Sequence, residues 1–182
     1  MARCMTLFLI RHGETVDNVA GLYAGSRDSE LTNHGYQQAT RLGVHFKALG
    51  LSFTHVFSSQ LQRAAKTAEK IREAQLAAAG VESNPRIVPD VVQLPILMEQ
   101  DFGSMEGKKF FERSIDYKTT GKEQHRQANK SSVEFVDVES KEVMARRADQ
   151  FLNEHFLPLL RDDTETADFV VAIVSHEYFA IT

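Results

Sequence analysis

Leu7-Phe8-Leu9-Ile10 runs without a break into Arg11-His12-Gly13, and this junction restricts the chain more than any other stretch. Four consecutive apolar residues read as a short strand buried on both faces, as in a parallel sheet. A guanidinium and an imidazole cannot follow such a strand into a core. They must sit at its carboxyl end, where open α/β sheets place their ligands. Gly13 lets backbone pass close to whatever binds there. Arg11 offers a planar fork suited to phosphate or carboxylate, and His12 beside it can act as nucleophile, base or ligand.

The other end of the chain repeats the pattern. Phe169-Val170-Val171-Ala172-Ile173-Val174 is the most strand-like run, and it ends in Ser175-His176-Glu177. Between the two, Phe53–Phe57 forms a third apolar run, which turns through Ser58-Ser59 towards Arg63. Helical spacing follows each of the first two strands. Thr32 is an N-cap for a helix with Gly35, Ala39, Leu42, Phe46 and Leu49 on one stripe, ended by Gly50; His34 and His45 fall on its solvated side. Ser59 and Gln62 fit a capping box for a second helix, whose stripe runs from Leu61 through Ala64, Ala68 and Ile71 to a stop at Gly80. Arg63 thus lies in a helix's first turn, where a cation opposes the helix dipole unless an anion is near. On position alone it is equally an exposed surface arginine. A shorter helix or turn over Glu14–Ala20 would point its amino end at the same site and add backbone donors for an anion, with Asn18 on it. Ser140 to about Leu157 reads as a further amphipathic helix, disturbed at its end by Pro158, with His155 as a face or cap residue.

Strands alternating with helices imply an α/β fold with a mostly parallel sheet, so the polar residues at the three strand ends share one rim. Ser83 to Leu97 reads as a proline-punctuated loop, with a short strand around Arg86–Val88 and a candidate strand at Ile96-Leu97. Glu99 follows an apolar run and is a candidate buried carboxyl with a raised pKa. From Lys108 to Lys130, seven lysines and arginines face three acidic residues, opposite in sign to the whole chain's net charge of −4. That stretch is either a cap that draws an anionic substrate or a solvated loop. The overall charge argues against a dedicated nucleic-acid binder. Cys4, the only cysteine, excludes a disulfide framework or Cys-rich zinc site, reads as a partly buried thiol and points to the cytoplasm. No run reaches membrane-spanning length, and no His/Cys/Asp pattern suggests a metal site.

Five segments, in order, resemble the histidine phosphatase superfamily, which includes the cofactor-dependent phosphoglycerate mutases and fructose-2,6-bisphosphatase-type enzymes. They are LIRHGETVDN, GSRDSELTNHGYQQA, SSQLQRAAKTAE, LMEQDFGSMEG and VVAIVSHE. The resemblance implies a three-layer αβα sandwich around a mostly parallel sheet. It also implies a metal-independent, cofactor-free phosphatase that hydrolyses a phosphomonoester. His12 would become phosphohistidine. Arg11, Arg63 and His176 would hold the phosphoryl oxygens, with Asn18 and Gly25 among the substrate-binding positions. Glu99 would protonate the leaving oxygen and then activate water. The expected partner is a small phosphorylated metabolite or a phosphoprotein; oligomeric state is left open.

Two positions depart from the family pattern. Glu177 stands where the family has glycine after the last histidine, and Gln100 stands where mutases carry a basic residue after the proton-donating glutamate. The second departure favours phosphatase over phosphoglycerate mutase-type transfer. The first, with a chain that stops soon after the last strand, keeps open a catalytically impaired module that recognises phosphate. Residues 1–182 are read as one domain, truncated or divergent at its C-terminus, with a polar cap inserted at about 108–140.

Overall fold

The computed structural model of the chain describes residues 4–76, 88–110, 123, 135–161 and 168–177. Within them lies a four-stranded sheet, β1 (Met5–Arg11), β2 (His55–Ser59), β3 (Val91–Leu94) and β4 (Phe169–Ser175), in the order β1-β4-β2-β3 with every pairing parallel. Helices α1 (Val16–Ala20), α2 (Asn33–Ala48), α3 (Gln62–Leu76), α4 (Lys141–Phe151) and α5 (Leu157–Arg161) surround it.

The alternation of β4 creates two cores. Ala172 and Val174 point to one face, packed with Ile10, Val56, Phe46 of α2 and Ala64, Ala68 and Ile71 of α3. Phe169, Val171 and Ile173 point to the other, packed with Phe57, Leu97 and Phe151 of α4. Helices on both faces of a parallel sheet make the three-layer αβα sandwich that the sequence implied. Gly43 brings α2 close to α3, since a Cβ there would stand 2.8 Å from Ala74 Cβ and from Ile71 backbone.

Several local expectations need correction. β1 is not buried on both faces: Phe8 and Ile10 face the first core, but Leu7 and Leu9 are 39% and 57% exposed, because β1 is an edge of this sheet with the α4 side open beside it. Cys4, just ahead of it, is exposed rather than partly buried. Leu49 is exposed past the end of α2. β3 lies at 91–94, where a loop was read; residues 86 and 87 of the expected strand lie outside the described residues, as does the Gly80 stop. Pro95–Leu97 is a single 3₁₀ turn rather than a strand. Pro158 disturbs the last helix as its position implies, but the helix runs past it rather than finishing near Leu157. The backbone widens into a π segment over Leu152–Phe156, where Leu157 N–H donates to Leu152 O, and helix continues to Arg161. This accommodates a residue that has no N–H to give. Most of the expected cap at 108–140 lies outside the described residues.

Candidate active site

The parallel registers set the site. Arg11 pairs with Ser175 and Ser59 with Leu94, so all four strands end along one rim. Beyond β1 comes His12, beyond β4 His176, beyond β2 Arg63, and beyond β3 and its 3₁₀ turn Glu99. The sequence placed the first three at strand ends; the fourth follows from β3.

His12 N–H donates to Ser175 O at 3.1 Å, which ties the two histidine-bearing strand ends together. The rings of His12 and His176 lie edge to face with centroids 5.1 Å apart. His12 Nδ1–H donates to Gly13 O at 2.7 Å. That bond fixes the tautomer and leaves the Nε2 lone pair, which accepts from Arg63 Nε–H at 3.2 Å. Burial, followed by Arg63 and Arg11, outweighs the bond to Gly13 and lowers the His12 pKa to about 3. The imidazole is therefore neutral and its Nε2 unprotonated at ordinary pH. His176 is fully buried, and burial drives its pKa well below the usual histidine range. Neither of its ring nitrogens has a hydrogen-bond partner among the described residues. A buried polar group left unpaired is costly, and this one lies against the His12 ring.

Arg63 is not the surface arginine that position alone allowed: it is 1% exposed. Its other nitrogens donate to Arg27 O and Gly25 O, each at 2.7 Å. Gly25 earns its place as backbone. It has φ +56, and a Cβ there would run into the Glu106 carboxylate and Phe102. The helix start that carries Arg63 is not capped by a Ser59–Gln62 box. Ser59 Oγ accepts from Leu61 N–H, while Gln62 N–H donates to Asp28 Oδ1 at 2.7 Å and Gln62 Nε2 donates to Asp28 O. A carboxylate from a distant loop supplies the cap, which spacing within one segment could not reveal.

The α1 end corrects another expectation. Thr15 and Asn18 form a reciprocal capping box, Thr15 N–H to Asn18 Oδ1 and Asn18 N–H to Thr15 Oγ1. Val16 and Asp17 N–H donate to Glu30 O and Ser29 Oγ. The amino end of α1 thus has no backbone donors left for an anion. Asn18 still borders the cleft, with its Nδ2 uncommitted among the described residues.

Gly13 is held by Thr67 Oγ1, which accepts its N–H at 3.0 Å and donates to Arg63 O at 2.7 Å. A Cβ on Gly13 would stand 2.5 Å from Gly35 O, at the start of α2. The apposed glycines fix the loop after β1 against two helices.

Across the cleft, Glu99 is buried and accepts Gln100 N–H at 2.9 Å. Burial raises its pKa; Arg63 and Arg11 oppose the rise, and Glu177 adds to it. Two residues that sequence reasoning passed over hold this side. Arg147 of α4 donates to Ile96 O at 3.0 Å and Met98 O at 2.8 Å and grips Glu139 with two nitrogens, at 2.9 and 2.7 Å. Glu106 accepts from Ser26 N–H, Ser26 Oγ and Phe102 N–H, locking the Gly25 loop to the loop after Glu99. The only sequence signal for Glu106 was its place in an acidic segment between glycines; Arg147 left none, since a helical arginine normally reads as solvated.

The resulting cleft encloses about 320 Å³ and is bordered by Arg11, His12, Asn18, Gly25, Arg63, Glu99 and Glu177, with an apolar wall opposite. His176 does not border it directly but lies against His12 beneath. Arg11 and Glu177, each more than half exposed, form an ion pair at the mouth with Arg11 Nη1 3.4 Å from Glu177 Oε2. Among the described residues no group of three His, Cys, Asp or Glu side chains could hold a metal ion, and no helix is long and apolar enough to cross a membrane. A neutral imidazole nitrogen, two guanidinium groups and a carboxyl of raised pKa around one cavity can transfer a phosphoryl group.

The histidine phosphatase superfamily (branch 1) matches residues 7–180. A Schizosaccharomyces pombe protein named a probable phosphatase is 33% identical over 175 residues, 96% of this chain and 53% of its own length. A 2,3-bisphosphoglycerate-dependent phosphoglycerate mutase of Bartonella quintana is 37% identical over 102 residues, 56% of this chain and 45% of its own length. The chain therefore spans about half the length of these curated relatives. Among solved structures, the alpha-ribazole phosphatase of Shigella flexneri superposes with a TM-score of 0.65 at 26% identity, over 97% of this chain and 76% of that one. A phosphoglycerate mutase of Bacillus anthracis gives 0.69 at 20% identity, over 98% and 78%, a likeness of fold alone.

Proposed function

Because the chain belongs to the histidine phosphatase superfamily (branch 1), we propose that it hydrolyses phosphomonoesters through a phosphohistidine on His12. One observation carries the reading: His12 Nδ1–H is fixed on Gly13 O while the neutral Nε2 faces Arg63 beside an unpartnered His176. In the first step Nε2 attacks phosphorus as the ester P–O bond breaks, and protonated Glu99 gives its proton to the leaving oxygen. Arg11, Arg63 and His176, with Asn18 Nδ2, hold the phosphoryl oxygens. In the second step the Glu99 carboxylate takes a proton from water, the resulting oxygen attacks phosphorus, and the P–N bond breaks to release inorganic phosphate. No step calls on a metal or cofactor. The substrate is a small phosphorylated metabolite or a phosphoprotein, met in the cytoplasm by one domain.

Gln100 after Glu99 supports hydrolysis over mutase-type transfer: its side chain donates to Glu139 O at 2.7 Å and places no cation near the cleft. The test is rapid-quench labelling with a radiolabelled monoester. An acid-labile, alkali-stable label on the parent protein, absent from His12→Ala together with a fall of about a thousandfold or more in kcat, is the expected result. Unchanged turnover in His12→Ala would overturn the reading. Turnover that requires a bisphosphate primer would replace it with mutase chemistry.

A further inference from the structure

The two sides of the cleft differ in kind. One carries the cations Arg11 and Arg63; the other is apolar and aromatic, built from Leu22, Tyr23, Phe102 and Phe110. The aromatic side is already assembled. Tyr23 lies with its ring centroid 4.9 Å from that of Phe102 and 5.8 Å from that of Phe110. Backbone bonds stitch the two segments that carry them: Tyr23 N–H to Lys108 O at 2.9 Å, Gly107 N–H to Tyr23 O at 2.8 Å and Phe110 N–H to Gly21 O at 3.0 Å. Such a wall offers a preassembled apolar face at little ordering cost.

Among the described residues, the charges on the other side leave no provision for a second anion. Arg63 already gives Nε and both terminal nitrogens to His12, Arg27 and Gly25. Arg11, the remaining cation among the described residues of the cleft, faces Glu177 at 3.4 Å. A phosphoryl group seated at His12 engages both guanidiniums. Any further anionic group on the same molecule then meets Glu99, Glu177 and aromatic rings.

We propose that the cleft takes phosphomonoesters whose body is neutral and apolar, aromatic above all, and that Glu177 turns away bodies carrying a second anionic group. The proposal rests on the phosphomonoesterase reading above and names its substrate class. Like charge facing like charge is a common means of rejecting a wrong partner. Because Glu177 is more than half exposed, its discrimination is modest and screened by salt.

The test uses two non-hydrolysable probes with the same phosphonate head, benzylphosphonate and 3-phosphonopropionate, titrated calorimetrically into the unaltered chain at low salt. Benzylphosphonate should bind about tenfold more tightly. Glu177→Gln should narrow that gap by strengthening 3-phosphonopropionate, and Phe110→Ala should narrow it by weakening benzylphosphonate. Equal or tighter binding of 3-phosphonopropionate to the unaltered chain overturns this inference and leaves the phosphatase reading standing. So does a gap that Glu177→Gln leaves unchanged. If neither phosphonate binds, the phosphate site itself is refuted, and this inference with it.

Discussion

His12 and His176 owe their chemistry to being buried and neutral, and the same burial makes them a source of acid sensitivity. Each has a folded-state pKa depressed below its unfolded value of about 6.5. A depressed histidine pKa contributes stability that is fully present above the unfolded value. It is lost as pH falls, because the unfolded chain binds protons that the folded chain refuses. For His12 that window runs from 6.5 down to about 3. Each such imidazole costs about 1.4 kcal/mol per pH unit within the window. Melting temperature should therefore drop between about pH 7 and about pH 5, and His176→Gln should show a shallower drop than the parent. The raised pKa of Glu99 acts in the opposite direction but is common to both proteins, so the difference isolates His176. Equal slopes would mean that His176 is solvated or protonated in the folded state.

At the scale of elements, the loop from Pro95 to Met105 is the part whose geometry must be held and whose sequence says least. Arg147 holds it from α4 through two backbone carbonyls and Glu139. Arg147→Met should leave those carbonyls unpaired and the Glu139 carboxylate with only the Asp101 N–H at 3.2 Å among the described residues, with a loss of about 2–4 kcal/mol by denaturant unfolding. It should also lower kcat by about a hundredfold through misplacement of Glu99. KM should change little, because Arg11 and Arg63 stand on other elements. Arg147→Lys should not restore the rate, since one ammonium cannot replace a fork across several acceptors. A KM effect as large as the kcat effect would place Arg147 in phosphate binding instead. This loop also marks where legibility ends. β1, β2 and β4, and the convergence of Arg11, His12, Arg63 and His176, follow from apolar runs ending in polar residues, and the Thr32 cap follows from its place ahead of a helical stripe; that Ser140 caps α4 is seen only in the structure. Long-range hydrogen bonds do not: Asp28 on α3, Glu106 on Ser26, Thr67 on Gly13 and Arg147 on the Glu99 loop join residues tens of positions apart. β3 was missed because Val91-Val92-Gln93-Leu94 sits among prolines and at a sheet edge, where pattern is weakest.

For the molecule as a whole, the sheet separates two cores; β1 packs on the first through Phe8 and Ile10 and reaches the second only through Met5. Ile10 packs with Ala68, Ala172 and Phe46, whereas Leu9 beside it is more than half exposed. Ile10→Ala should cost about 2–4 kcal/mol and Leu9→Ala well under 1 kcal/mol in urea unfolding. Similar costs at both positions would show that the second face of β1 is covered in solution. The larger claim concerns the rim rather than the cores: four parallel strands deliver His12, Arg63 and Glu99 to one cavity, with His176 against the His12 ring beneath it, so that a tetrahedral oxyanion can bind among them. A crystal structure of the chain with orthovanadate tests this most directly. The account requires vanadium bonded to His12 Nε2, with its oxygens held by Arg11, Arg63 and His176 and one apical oxygen within hydrogen-bonding reach of Glu99. Vanadate bound elsewhere, or a His12 Nε2 still bonded only to Arg63 at saturating vanadate, would contradict it.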